Sequence, residues 1–264
     1  MSTNLFLLGK KMITQKETHR HVLDAIKKAK LKSNPFNHIV IDDFIPEEFG
    51  RMLLDDYPND KHEYWTASES GKAVKNKMYS NKIGSDALLP DSIQNFIYFL
   101  NGGAVCAALE DKFGLGSRFL ISDPHLGGGG LHSIGRKGKL EVHADFNYHP
   151  SEYLHRRLNL LLYLNYDWDE SWGGNIDLWS TDMKTKEVSV PPLGGKCVIF
   201  LTDPTSFHGH PYGLRCPEST RRNSIALYYY TQDKDMVPII ENKRKTTLYQ
   251  HKKRQLIEPN NEKI

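Results

Sequence analysis

The chain has 264 residues, 39% hydrophobic and 25% charged, which suffices for one large core and matches a soluble globular composition. A formal net charge of +3 gives no overall nucleic-acid signature, and no run approaches the roughly 20 apolar residues of a membrane-spanning helix. Three scattered cysteines (Cys106, Cys197, Cys216) form no C-x-x-C pair, which argues against a disulfide framework or zinc-thiolate site and for free thiols in a reducing, cytoplasmic setting.

The "LFLL" at 5–8 is too short for a signal-peptide core. Residues 14–32 place Val22, Leu23, Ile26 and Ala29 at helical spacing among lysines and predict an amphipathic helix. "FNHIVIDDFIPEEFGRMLLDDYP" reads as a short strand, a turn and a helix over 46–57, opened by Pro46 with Glu47 and Glu48 in its first turn. Residues 61–86 show no period and predict a long loop, a candidate lid carrying Tyr64, Trp65, Lys75, Lys77 and Tyr79. Residues 90–113 read as two helices broken at Gly102-Gly103.

From about 118 the period changes to short β-rich runs between Gly, Pro and Asp turns: 118–122, 139–146, 157–166, 174–180, 186–190, 196–202, 205–210 and 222–231. Such a series predicts a sandwich, barrel or jelly roll, with the helices covering one sheet from outside. The expectation is an α+β protein with a single catalytic domain over 1–240, comprising a helical flank (1–117) and a β core (118–232). A basic tail follows over 241–264, with seven Lys/Arg against three Glu; a solvated terminus is its ordinary reading, and nucleic-acid binding is not favoured. The glycine run at 127–130 lacks the G-K-[ST] ending of a phosphate loop and reads as a flexible loop near the site mouth. "WGG" at 172–174 reads as a tight turn.

In "EVHADFNYHP" (141–150), His143 and Asp145 are two residues apart and share one face of a strand, about 7 Å apart along the backbone. An imidazole and a carboxylate need one more imidazole to complete the 2-His-1-carboxylate triad that holds non-haem Fe(II). "SFHGHP" supplies two candidates, His208 and His210, while His149 would give a zinc site within one loop. In "RLNLLLYLN" the even positions 158–164 are all Leu, whereas Asn159, Tyr163 and Asn165 lie on the other face. In "RRNSIALYYY", Arg222 and Ser224 share a face opposite Ile225 and Leu227, a pair suited to gripping a carboxylate.

Over 127–231 the elements "LEVHAD", "RLNLLLYLNYDWDESWGGNIDLW", "PPLGGKCVIF", "SFHGHP" and "RRNSIALYYY" appear in the order that resembles the Fe(II)/2-oxoglutarate-dependent dioxygenases, in particular their prolyl-4-hydroxylase-like branch. The resemblance implies a double-stranded β-helix and Fe(II) held by His143, Asp145 and His208. It implies 2-oxoglutarate as cosubstrate, its distal carboxylate on Arg222 and Ser224 with Tyr163 and Asn159 as further contacts, O2 as oxidant and ascorbate as a stimulant. It prefers His208 to His210 because a Gly follows His208. Asp145 at the carboxylate position implies hydroxylation over halogenation, and a prolyl residue of a protein or peptide, or a small molecule, as substrate. Two rivals stand beside it: a cupin-like metal-binding sensor, which would need no carboxylate clamp, and a zinc hydrolase using His143, Asp145 and His149.

Overall fold

Thr14 opens the first helix, α1 (Gln15–Lys28), with a capping box: its hydroxyl accepts the Glu17 N–H at 3.2 Å, and the Glu17 carboxylate accepts the Thr14 N–H at 2.9 Å. Thr18, Val22 and Ile26, four residues apart, form its buried stripe. The computed structural model describes residues 14–59, 62, 65–66, 77–78, 89–116, 119–123, 125–127, 129–149, 154–232 and 248–249. Helix α1 stops short of residue 32 because Ala29 turns extended; Lys112 Nζ donates to the carbonyls of Lys27 and Ala29 at 2.8 and 2.7 Å, satisfying groups left over at the helix end. Helix α2 (Glu47–Asp55) follows Pro46, and α3 (Asp91–Leu100) and α4 (Gly103–Phe113) meet at the expected break.

The strands among the described residues are β1 (His38–Ile41), β2 (Trp65–Thr66), β3 (Lys77–Met78), β4 (Ile121–Ser122), β5 (Gly130–Ile134), β6 (Leu140–Ala144), β7 (His155–Tyr163), β8 (Ile176–Trp179), β9 (Lys186–Val190), β10 (Cys197–Leu201), β11 (His208–His210), β12 (Arg222–Thr231) and β13 (Leu248–Tyr249). They form two antiparallel sheets. The larger runs β1-β10-β7-β12-β5-β3-β2, with β4 also on β12, and the smaller runs β13-β6-β11-β8-β9.

Alternation along β7 and β10 joins the layers. Leu158, Leu160 and Leu162, with Ile199, Ile225 and Leu227, pack in one cluster with Val22, Ile26, Ile93, Phe96 and Leu109 of the helices. On the opposite face, Tyr163, Val198 and Phe200 meet Ile176, Leu178 and Val190 of the smaller sheet. Two sheets face one another and helices cover the larger, which is the α+β, double-stranded β-helix arrangement.

The glycine run belongs partly to the sheet and is not a loop throughout: Gly130 begins β5, where it pairs with Ala226 of β12. The span 61–86 lies largely outside the described residues; within it, β2 and β3 pair as a hairpin whose β3 adds to β5. The tail 241–264 also lies outside them, apart from β13, which places Leu248 opposite Ala144 and Tyr249 opposite His143. Among the described residues no helix is long and apolar enough to cross a membrane.

Candidate metal centre

Antiparallel pairing of β6 with β11 sets His143 directly opposite His208, with ring centroids 4.5 Å apart. Gly209 permits that pairing, since a Cβ there would come within 2.8 Å of Leu140 O and 2.9 Å of Glu141 O. Each imidazole is oriented by its own strand. His143 Nδ1 lies 2.8 Å from Glu141 O and His208 Nδ1 lies 2.9 Å from Ser206 O. A carbonyl only accepts, so Nδ1 carries the proton in both rings and Nε2 is the coordinating nitrogen.

The two Nε2 atoms converge on Asp145, just past the end of β6: His143 Nε2 is 3.4 Å from Oδ1 and His208 Nε2 is 3.3 Å from Oδ2. All three residues are buried, and their ligand atoms lie within 4.8 Å of one another. Donors about 2.1 Å from one ion and at right angles to each other stand about 3 Å apart, so this set fits a metal. Its two imidazoles and one carboxylate are the donor set of facial Fe(II) sites. Among the described residues this is the one group of three or more His, Cys, Asp or Glu side chains placed to hold an ion.

Asp145 is held from behind. Arg156 Nη2 donates to Oδ2 at 3.0 Å and Asn159 Nδ2 donates to the same oxygen at 2.7 Å. Arg156 Nε and the Thr202 hydroxyl donate to Asn159 Oδ1 at 2.7 and 3.2 Å, so the amide is clamped at both ends. The Arg156 guanidinium also lies over the Tyr228 ring, 3.3 Å from its centroid. Burial pushes the Asp145 carboxyl upward, but Arg156 and then His208 outweigh it and hold the group well below the usual carboxylate range.

Asn159 therefore sits at the carboxylate ligand and not beside Arg222. Arg156 has no place in the sequence reading. Alternation along β7 puts it on the leucine face, but the register of β7 against β12 shifts between Tyr229 and Tyr230, skipping Arg157. That irregularity turns Arg156 inward, and no local sequence pattern announces it.

Arg222 is 4% exposed; its Nε donates to Gly174 O at 2.8 Å and its Nη2 to Tyr163 Oη at 3.2 Å. Gly174, at φ +81°, brings that carbonyl in, and a Cβ there would lie 3.1 Å from Arg222 Cδ. Both partners are neutral oxygens, and among the described residues no carboxylate pairs with this guanidinium. Buried charges are normally paired, so the arrangement suits an anionic ligand. Ser224 is buried opposite Tyr163 in the β7–β12 register. Burial raises the Tyr163 phenol while Arg222 opposes it.

His149 does not join the triad. Its Nε2 lies 3.5 Å from Asp123 Oδ2, its ring meets Tyr230 edge-on, and Asp123 accepts the N–H groups of His125 and Gly127. His210 is buried on β11, two residues after His208.

Residues 129–230 match the family model described as the 2OG-Fe(II) oxygenase superfamily. Prolyl 3-hydroxylase OGFOD1 of Mus musculus is 37% identical over 86 residues, a match spanning 31% of this chain and 15% of that protein. Two solved structures share the fold. A prolyl 4-hydroxylase of Phytophthora capsici aligns with TM-score 0.56 and 17% identity over 85% of this chain and 68% of its own. The prolyl-4-hydroxylase of Pseudomonas putida aligns with TM-score 0.52 and 16% identity over 81% of this chain and 99% of its own. The His143, Asp145 and His208 set thus lies within a segment similar to the 2OG-Fe(II) oxygenase superfamily, and the chain shares the fold of the prolyl 4-hydroxylases.

Proposed function

We propose that this chain is an Fe(II)- and 2-oxoglutarate-dependent dioxygenase acting as a hydroxylase. His143, Asp145 and His208 hold the iron, and Arg222, with Tyr163 and Ser224, receives the distal carboxylate of 2-oxoglutarate. The observation that carries this reading is the pairing of two separate features in one β-helix: a buried two-imidazole, one-carboxylate set, and a buried arginine without a carboxylate partner. A sensor barrel needs only the first.

Fe(II) with 2-oxoglutarate and O2 supplies the oxidation: one oxygen atom enters succinate as CO2 is lost, and the other enters a substrate C–H bond. The protein's own work is positional. Glu141 O and Ser206 O hold the imidazoles in the coordinating tautomer, Arg156 and Asn159 keep Asp145 ionised and aimed, and Gly174 O and Tyr163 orient the guanidinium. A carboxylate ligand in place leaves no halide position, which favours hydroxylation.

The substrate we propose is a prolyl residue in a protein or peptide. The support is that the matched mouse protein is a prolyl 3-hydroxylase and that the fold is shared with prolyl 4-hydroxylases. We place the protein in a reducing, cytoplasmic setting, which the three buried free cysteines favour.

Metal analysis after Fe(II) loading under anaerobic conditions tests the ligand set. His208→Ala loses bound iron while His149→Ala retains it. Iron retained by His208→Ala and lost by His149→Ala would instead install the zinc-type set of His143, Asp145 and His149.

A further inference from the structure

His210 is the last residue of β11, 3% exposed, and neither of its ring nitrogens has a hydrogen-bond partner among the described residues. Among the described residues it is the one side chain with two buried, unpartnered polar atoms. An imidazole always carries at least one N–H donor, and burying that donor unmet is unfavourable. Buried polar groups of this kind call for a partner beyond the described residues.

The position of the ring says what that partner is. β11 lies between β6 and β8 in the smaller sheet, and the extra residue at its register shift falls on β6 (His143 to Leu140 against His208 to His210), so β11 keeps its alternation and His210 shares the inward face of His208. The register shifts between His208 and His210, which sets His210 opposite Leu140 while His208 stays opposite His143. On its other side β11 pairs with β8, Gly209 opposite Asp177, so His210 lies toward the chain just before β8, where Gly174 O holds Arg222 Nε; Arg222 and His143 are also the charged or ionisable groups acting on the ring. His210 therefore stands on the side of β11 that faces both the metal set and the Arg222 clamp. Arg222 spends Nε on Gly174 O and one Nη2 bond on Tyr163, and a carboxylate has lone pairs for more donors than the arginine has left.

We infer that the His210 ring N–H donates a hydrogen bond to the 2-oxoglutarate carboxylate seated at Arg222, making an imidazole part of the cosubstrate clamp. This rests on the cosubstrate reading above and adds a residue to it.

Titration calorimetry on Mn(II)-loaded full-length protein, without O2, tests it with two ligands: 2-oxoglutarate and 2-oxopentanoate, which lacks the distal carboxylate. His210→Leu weakens 2-oxoglutarate about ten- to a hundredfold, as expected for losing a charge-assisted hydrogen bond. It leaves Mn(II) affinity and 2-oxopentanoate binding as in the wild type, and His210→Asn, which restores an N–H donor, recovers most of the loss. If His210→Leu binds 2-oxoglutarate like the wild type, or weakens both acids or Mn(II) alike, His210 is a structural residue and the inference is overturned. Arg222→Leu separates the two levels. Loss of 2-oxoglutarate in Arg222→Leu with none in His210→Leu overturns only the role of His210. A wild type that binds no 2-oxoglutarate overturns the underlying reading as well.

Discussion

Asn159→Ala separates two roles that the same side chain can play. The family resemblance sends Asn159 to the cosubstrate, whereas the structure seats its Nδ2 on Asp145 Oδ2 at 2.7 Å. A hydrogen bond to a charged group contributes about 1.5–3 kcal/mol. Asp145 keeps the Arg156 Nη2 donor at 3.0 Å on the same oxygen, which limits the loss to the lower part of that range. At about 1.4 kcal/mol per tenfold, Fe(II) affinity falls about ten- to fortyfold, within the span of other losses of a ligand's hydrogen-bonding support. Arg156 Nε and Thr202 lose the Oδ1 acceptor at the same time, so the melting temperature also drops by several degrees. The assay is anaerobic metal titration, followed by 2-oxoglutarate titration of the metal-saturated protein. Weaker iron with 2-oxoglutarate affinity within about twofold of wild type confirms the Asp145 role. Unchanged iron affinity with a tenfold loss of 2-oxoglutarate would refute it.

Three further outcomes follow from the same geometry. Gly209→Ala forces β11 away from β6, where its Cβ would meet Leu140 O at 2.8 Å; calorimetry shows a lower melting temperature and metal titration a weakened site. Arg222→Leu keeps bound Fe(II), because Arg222 contacts none of the three ligands, and loses 2-oxoglutarate, read by competition binding. His38, buried on β1 with Nδ1 on Phe36 O, has its pKa lowered by burial, with Lys32 adding to it. The unfolded chain thus binds the proton more readily: the His38 contribution is intact above about pH 6.5 and is lost as pH falls from there through the folded value. His38→Leu accordingly flattens the decline in melting temperature across that window.

What the sequence made legible was whatever obeys alternation or helical period. The leucines at 158, 160, 162 and 164 lie in the helix-facing cluster, and Tyr163 on the opposite face reaches Arg222. His143 and Asp145, two residues apart, meet His208 because adjacent strands put them there. What escaped depends on departures from regularity. Arg156 turns inward only because β7 skips a register step against β12, and that step also gives Asn159 its partner. Gly130 reads as loop by composition, yet pairs in β5. Lys112 ends α1 early from more than eighty residues away, a contact no local window holds. The unpartnered state of His210 is likewise a property of the folded interior and not of the tripeptide His-Gly-His.

The most direct test of the central claim is succinate formation by purified protein supplied with Fe(II), 2-oxoglutarate, ascorbate and O2, with prolyl peptides added. The account predicts succinate from the wild type, none above background from Asp145→Ala or His208→Ala, and wild-type levels from His149→Ala. Equal succinate from wild type and Asp145→Ala, or none from a wild type that also binds no 2-oxoglutarate, would contradict it.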